Sequence, residues 1–334
     1  MFPLLIVFKG FALGLALYLL RWWRASQWAI FTKTADCSKK VFVVTGATSG
    51  IGRATAEELA ARGGTIVMAC RNLDQAKKVA DYLMRTYKRS RILAIKLDLS
   101  DFDSIDAFCR TCKANLPRIE VLVLNAGVAF CPYQKTRQGL ELQMGVNHFG
   151  HARLTIGLMS LLKRSPEPRV IQVSSSLYKK SNLPDRLAAL PDEARVEDLC
   201  YQEDNYDKSR AYADSKLAGM LFMHQMSRRY PAIRWYSVSP GIVNSKLGRH
   251  RPAMFYMMCL PLYIPFALLA VRTPKQGCQT VLFAALDDKI DTQYGYYRDC
   301  RLENVSSLLM NSNLSERLFQ ATQEIFNHCD DIAE

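Results

Sequence analysis

Apolar positions along this chain fall into short, largely β-branched runs separated by stretches of helical periodicity. Val41, Phe42, Val43 and Val44 form the first run, and 65–70, 91–97, 121–124 and 169–173 repeat it. Continuous apolar runs of this length suit strands of a parallel sheet covered on both faces, where no alternation is required. Helical patterns lie between them, among them 51–62 and 102–115. Strand and helix alternate, which predicts an α/β fold: a doubly wound parallel sheet flanked by helices. No internal repeat, low-complexity tract or Gly/Ser linker divides the chain, so one domain is expected over residues 40–300, with a helical extension over 301–334.

Two longer apolar stretches stand outside that alternation. The first, over residues 2–20, reads FPLLIVFKGFALGLALYLL and is interrupted only by Lys9. At 1.5 Å per residue it is long enough to cross a hydrocarbon core of about 30 Å, and it predicts an N-terminal membrane anchor over residues 1–24, followed by a linker over 25–39. A cleaved leader is the competing reading, but the charged start and the small-residue cleavage pattern are missing. Arg21-Trp22-Trp23-Arg24 sets aromatic rings beside positive charge, and Arg21, Arg24, Lys33, Lys39 and Lys40 all follow the apolar segment. That bias predicts a body facing the cytosol, with the endoplasmic reticulum as the expected membrane and the lipid droplet or outer mitochondrial membrane as alternatives. The second stretch, 252–271, holds no charged residue but contains Pro261 and Pro265. The prolines argue against a span; an apolar substrate lid over 252–272, resting on the membrane face, is expected, with a core segment as the alternative.

The formal charge of +13 on 334 residues suits an anionic surface or a phosphorylated ligand, but the cations are scattered and no nucleic-acid motif is present, so nucleic acid is not an expected partner. The ten cysteines do not form a disulfide framework in a chain this long. Cys109 and Cys112 fall inside a helical pattern, not at a helix start after a strand, so reduced structural thiols are expected. No metal site is predicted.

The candidate chemistry begins after the first run, in VVTGATSGIG. Gly46, Gly50 and Gly52 allow a tight turn and a close ligand approach, and a helix starting near Ile51 aims free N–H groups at the turn. A dinucleotide is the natural occupant, although a plain tight turn is compatible with the glycines alone. The second strand ends in Arg71, roughly twenty-five positions after Gly46, where an NAD-preferring site places an acid. Arg71, helped by Arg53, can instead pair with the 2′-phosphate of NADP(H); a surface charge is the alternative. Further on, Tyr212 and Lys216 lie four apart, on one helical face. A neighbouring ammonium favours the phenolate, and lowering a phenol by about three units corresponds to roughly 4 kcal/mol. In register with a dinucleotide turn, such a pair points to proton exchange beside a hydride centre.

Gly46-x3-Gly50-x-Gly52 and Tyr212-x3-Lys216 resemble the TGxxxGxG and YxxxK motifs of the short-chain dehydrogenase/reductase family. The resemblance covers about residues 39–301 and is nearest the retinol-dehydrogenase-like branch, through Met68-Ala69-Cys70-Arg71-Asn72, Asn147-His148-Phe149-Gly150-His151 and Thr273-Pro274-Lys275-Gln276-Gly277. It implies a Rossmann-type sheet and an NADP(H) site drawn from Gly46, Ser49, Gly50, Ile51, Gly52, Arg53 and Arg71. Asp98 would meet the adenine edge, or equally cap the next helix. Asn125 belongs to Asn125-Ala126-Gly127, with Leu124 where the family has a first Asn, and would sit by the nicotinamide ribose. Pro240 through Ser245, with serine for the family's threonine, would hold the nicotinamide amide. The implied catalytic set is Tyr212 as proton exchanger, Lys216 as its electrostatic partner and ribose ligand, Ser175 as donor to the substrate oxygen with Ser174 as fallback, and Asn147 as support for a proton relay. Asn147 reads equally as a satisfied helical polar group, and the neighbouring histidines as structural.

The stretch between Ser175 and Tyr212 is long for a compact member, and its charged, loop-like part over 184–210 is expected to wall the mouth. The resulting expectation is a membrane-anchored NADP(H)-dependent oxidoreductase interconverting a lipophilic alcohol (retinoid, steroid or isoprenoid) and its aldehyde or ketone. The alternative is a non-catalytic NADP-binding membrane sensor or scaffold.

Overall fold

The structure, a computed structural model, describes residues 2–191, 194–245, 247, 268–304 and 307–331, with side chains from residue 14 onward. After an N-terminal helix α1 (Phe2–Ser26), strand and helix alternate: β1 (Val41–Thr45), α2 (Gly50–Ala61), β2 (Thr65–Cys70), α3 (Leu73–Thr86), β3 (Arg91–Lys96), α4 (Phe102–Asn115), β4 (Val121–Leu124), α5 (Gly150–Leu162) and β5 (Arg169–Val173). The second half supplies α6 (Lys208–Arg229), β6 (Arg234–Ser239), α7 (Gln279–Leu286), β7 (Tyr294–Arg298), a short β8 (Arg301–Leu302) and α8 (Ser312–Asp331).

The strands form one sheet in the order β8-β7-β6-β5-β4-β1-β2-β3. All neighbours run parallel except β8, which turns back on β7. This is a Rossmann-like α/β fold in a single domain. The apolar runs explain it, because the central strands β1, β4 and β5 are buried along their whole length, while the edge strands β3 and β8 are partly or fully exposed. Val41 and Val43 join Val67 and Leu122 in a core closed by α4, α5, α6 and α8, while Phe42 and Val44 join Ile66 and Met68 in a second core closed by α2, α3 and α7. Strand order reverses direction between β1 and β4, and at such a switch point the loops at the carboxyl ends part and leave a crevice.

Helix α6 is buried from Ala211 to Ser227 because α8 covers its outer side, where Ser315 and Thr322 meet the imidazoles of His224 and His148 at 3.2 and 3.0 Å. Burial holds His148 down at about 3, which keeps its imidazole neutral. Cys109 and Cys112 are buried in α4, and desolvation pushes both thiols up to about 12.

Two regions differ from the sequence expectation, and two others fall largely outside the described residues. Among the described residues no helix is long and apolar enough to cross a membrane. The side chains of residues 2–13 of the expected anchor lie outside the described residues, as do residues 252–267 of the expected lid. The expected linker is packed: Trp28, Phe31 and Cys37 are buried, the Phe31 N–H donates to Gln279 Oε1 at 3.0 Å, and Lys33 pairs with Asp287 and Asp288, each at 2.7 Å. The charged insertion folds into short helical turns that bury Leu183, Leu187 and Leu199, and only its start, Ser176 and Leu177, reaches the crevice.

Candidate active site

The crevice is a cavity of about 1370 Å³ bounded by the loops after β1, β2, β4, β5 and β6. Its floor is the turn after β1. Gly46 and Gly50 adopt φ of +69° and +56°, a left-handed backbone that costs a side chain on the order of 1 kcal/mol or more. Gly52 has ordinary φ but is required for closeness, since a methyl there would fall 2.6 Å from the Gly46 carbonyl oxygen. Ser49 precedes α2 in extended conformation without a side-chain cap, so the first N–H groups of a twelve-residue helix face the cavity unclaimed by that residue.

Asn125 pins this turn to β4. Its Nδ2 donates to the Thr45 carbonyl at 2.7 Å, while the backbone N–H groups of Asn125 and Ala126 donate to Thr45 Oγ1 at 2.8 and 2.9 Å. The Thr45 hydroxyl lies 3.2 Å from His151 Nε2, and His151 Nδ1 lies 3.2 Å from the Asn147 carbonyl oxygen. A carbonyl only accepts, so Nδ1 carries the proton and Nε2 receives the Thr45 hydroxyl hydrogen. Burial keeps this imidazole neutral, holding its pKa down at about 3.

Tyr212 and Lys216 line the cavity from α6, one turn apart, with the ammonium 5.7 Å from the phenol ring centre. Lys216 is buried, and its Nζ donates to the Val173 carbonyl at 2.9 Å. Desolvation lowers it to about 8. Ser175, at the end of β5, lines the same cavity; its oxygen accepts the Leu177 N–H at 3.3 Å, which leaves its hydroxyl hydrogen to point elsewhere. Ser174 also reaches the cavity.

Asn147 does not line the cavity. It lies one layer behind, in a π-helical turn over Gly145–Phe149 that leads into α5. Its carboxamide closes a ring with Val128, accepting the N–H at 3.0 Å and donating to the carbonyl at 2.9 Å, and it donates to Ser215 Oγ at 3.0 Å. Gly52 is likewise behind the surface, and Arg53 opens onto a neighbouring cleft of about 600 Å³ together with Lys275. Ile51, Arg71, Asp98, Pro240 and Ser245 all line the main cavity. One Asp98 carboxylate oxygen accepts from the Ser100 N–H at 3.0 Å and its hydroxyl at 2.7 Å, and the following helix is capped by Asp101 instead.

Several contributors have no motif. Asp214, buried between the motif positions of α6, accepts from Ser181 Oγ, the Asn182 N–H, Tyr201 and Arg186, which ties the insertion to α6. Arg21 and Arg24 reach the cavity from α1, donating to the Leu268 and Leu269 carbonyls at 2.7 and 3.2 Å. With Arg272 they surround the buried Trp28 ring at 4.8, 5.9 and 5.2 Å. Phe130 covers Tyr212, their ring centres 5.1 Å apart. Among the described residues no group of His, Cys, Asp or Glu could hold a metal ion.

The uncapped α2 start, the two left-handed glycines and the depth of the crevice fit a dinucleotide; Arg71 lines the same cavity, and Arg53 lines the neighbouring cleft. A family model described as short chain dehydrogenase matches residues 40–183. Human retinol dehydrogenase 11 is 37% identical over 328 residues, 97% of each chain, and human retinol dehydrogenase 12 is 38% identical over 86% of each. Among solved structures, an uncharacterised protein from Mycobacterium Paratuberculosis superposes with a TM-score of 0.65 at 26% identity, over 90% of this chain and 96% of that one.

Proposed function

The chain belongs to the short-chain dehydrogenase/reductase family, in its retinol-dehydrogenase-like branch, and on that premise we propose an NADP(H)-dependent enzyme that interconverts a lipophilic alcohol and its aldehyde or ketone. A retinoid, steroid or isoprenoid is the proposed substrate class, supported by the names of the human relatives and by the mixture of apolar and polar residues around the cavity. Reduction is the proposed direction, because cytosolic NADP pools are mostly reduced. The proposed setting is the endoplasmic reticulum membrane, with residues 1–24 as anchor and the catalytic domain in the cytosol.

The observation that carries this reading is the convergence of Tyr212, Lys216 and Ser175 on the cavity that also holds the uncapped start of α2. A bound nicotinamide would supply or accept hydride at the carbon bearing the reacting oxygen. Tyr212 exchanges the proton with that oxygen, and the Lys216 ammonium favours the phenolate left behind. Ser175, its oxygen already engaged by Leu177, turns its hydrogen to the substrate oxygen and stabilises the charge developing there. Asn147 holds Val128 and Ser215 behind the pair and supports the relay from Lys216. Arg71 and Arg53 select the 2′-phosphate.

NADPH oxidation by the full-length protein in detergent, over a panel of apolar aldehydes and ketones, tests the reading. Tyr212→Phe should bind NADPH as wild type does and lose turnover by at least a hundredfold. Turnover that survives the substitution would refute the mechanism. Tight NADPH binding with no turnover of any substrate by wild type would favour a sensor or scaffold.

A further inference from the structure

Phe130 has a backbone that its residue type does not choose. Its φ is +54°, in the left-handed region that favours glycine, although it is an aromatic residue five positions beyond Asn125. Residues held in such conformations persist only where their surroundings over-determine them, and they cluster at ligand-binding positions. The surroundings here are explicit. The Phe130 N–H donates to Gln143 Oε1 at 2.8 Å. Gln143 is fully buried, and its Nε2 donates to Tyr206 Oη at 2.7 Å and to the Lys208 carbonyl at 2.9 Å. Tyr206 in turn donates to the Cys131 carbonyl at 2.9 Å, so the N–H of the strained residue and the carbonyl of the next are both fastened, through Gln143 and Tyr206, to the segment that leads into α6.

The result of this brace is the position of one ring. Phe130 lines the cavity, and its ring is tilted 41° to that of Tyr212. The backbone hand at this residue sets the direction of the Cα–Cβ bond that carries the ring.

We propose that Phe130 is a specificity-determining residue: braced by Gln143, it presents an aromatic ring to the cavity beside the ring of Tyr212 and favours carbonyl substrates whose neighbouring carbons are flat and unsaturated. A conjugated enal or its allylic alcohol can lie against that face, whereas a saturated chain of equal length gains only apolar contact. The proposal rests on the reading of Tyr212 as proton exchanger and adds the substrate feature that this site selects.

The test compares kcat/KM for a trans-2-alkenal and the alkanal of the same length, in wild type and Phe130→Leu. Taking the ratio of ratios cancels the intrinsic reactivity of the two aldehydes. Phe130→Leu should lower the alkenal preference by a factor of roughly three to ten, the reach of one aromatic pair, with NADPH affinity unchanged. An unchanged preference overturns the proposal while a dead Tyr212→Phe still upholds the underlying mechanism; wild-type inactivity on both aldehydes, or an active Tyr212→Phe, overturns both. The brace is tested apart from catalysis by melting Phe130→Ala against Phe130→Gly, which both lack the ring. Glycine should melt higher, because only it adopts positive φ freely. Equal melting, or the reverse order, overturns the backbone constraint on which the ring position depends.

Discussion

Substituting Asp214 by Asn changes one charge and almost no volume, on a residue that touches no ligand. One carboxylate oxygen accepts from Ser181 Oγ at 2.7 Å and the Asn182 N–H at 2.9 Å; the other accepts from Tyr201 at 3.1 Å and Arg186 at 3.3 Å. An asparagine keeps the first pair if its oxygen takes that side, but its amide then faces two donors. Tyr201 can turn its hydroxyl to accept, whereas a guanidinium has only donors. The cost is one charge-assisted hydrogen bond, about 1.5–3 kcal/mol, plus part of the penalty of leaving Arg186 without its buried partner. Arg186 retains some solvent access and its stacking on Tyr201 at 4.6 Å, which keeps the total near 3 kcal/mol. With an unfolding entropy of about 2.1 cal/mol/K per residue over 334 residues, that corresponds to a fall in Tm of about 4 °C. Thermal melting, paired with limited proteolysis, measures both effects, and cleavage between Ser176 and Asp207 should accelerate. A variant that melts within a degree of wild type with the same cleavage pattern would show that the insertion is not held through this carboxylate.

Two further outcomes follow from the site. Burial lowers Lys216 to about 8, so the folded protein keeps this proton at pH 7 and loses it as pH rises through about 8, while the unfolded chain holds it to about 10.4. The burial penalty on the charged form therefore eases as pH rises from about 8 to 10.4, whereas the reductase rate should fall from about pH 8; Lys216→Met should leave a low residual rate that lacks this fall. A pH–rate profile identical in both proteins would exclude the ammonium. Gly52→Ala gains about 0.5–1 kcal/mol of helix propensity but places a methyl 2.6 Å from the Gly46 carbonyl, an overpacking cost of about 1–3 kcal/mol on backbone that cannot swing aside. NADPH titration by fluorescence should show roughly tenfold weaker binding with the far-UV spectrum unchanged.

The parts of this molecule that could be read from its sequence are those whose signal is local. A valine-rich run followed by three glycines, and a phenol four positions from an amine, carry their geometry in their spacing, and the structure brings both to one crevice. What escaped is set by distant partners. Phe130 carries no turn residue to mark its left-handed backbone, because the brace comes from Gln143 and Tyr206. Asn147 sits in a π turn, one residue wider than a helix, and no residue type announces it. Residues 25–39 read as a linker because one tryptophan and one phenylalanine have no periodicity, yet both are buried. The insertion was more legible than its charge suggested: Leu183 and Leu187 are four apart and share the buried face of a short helix.

The packing of Trp28, Phe31 and Lys33 makes the passage from α1 to β1 a strut instead of a leash. A bilayer gripping that helix would grip the whole enzyme at a set height and tilt, with the crevice mouth, guarded by Arg21 and Arg24, always presented at one depth. A version trimmed just before β1 would lose part of the core, and its designer should cut ahead of Trp28.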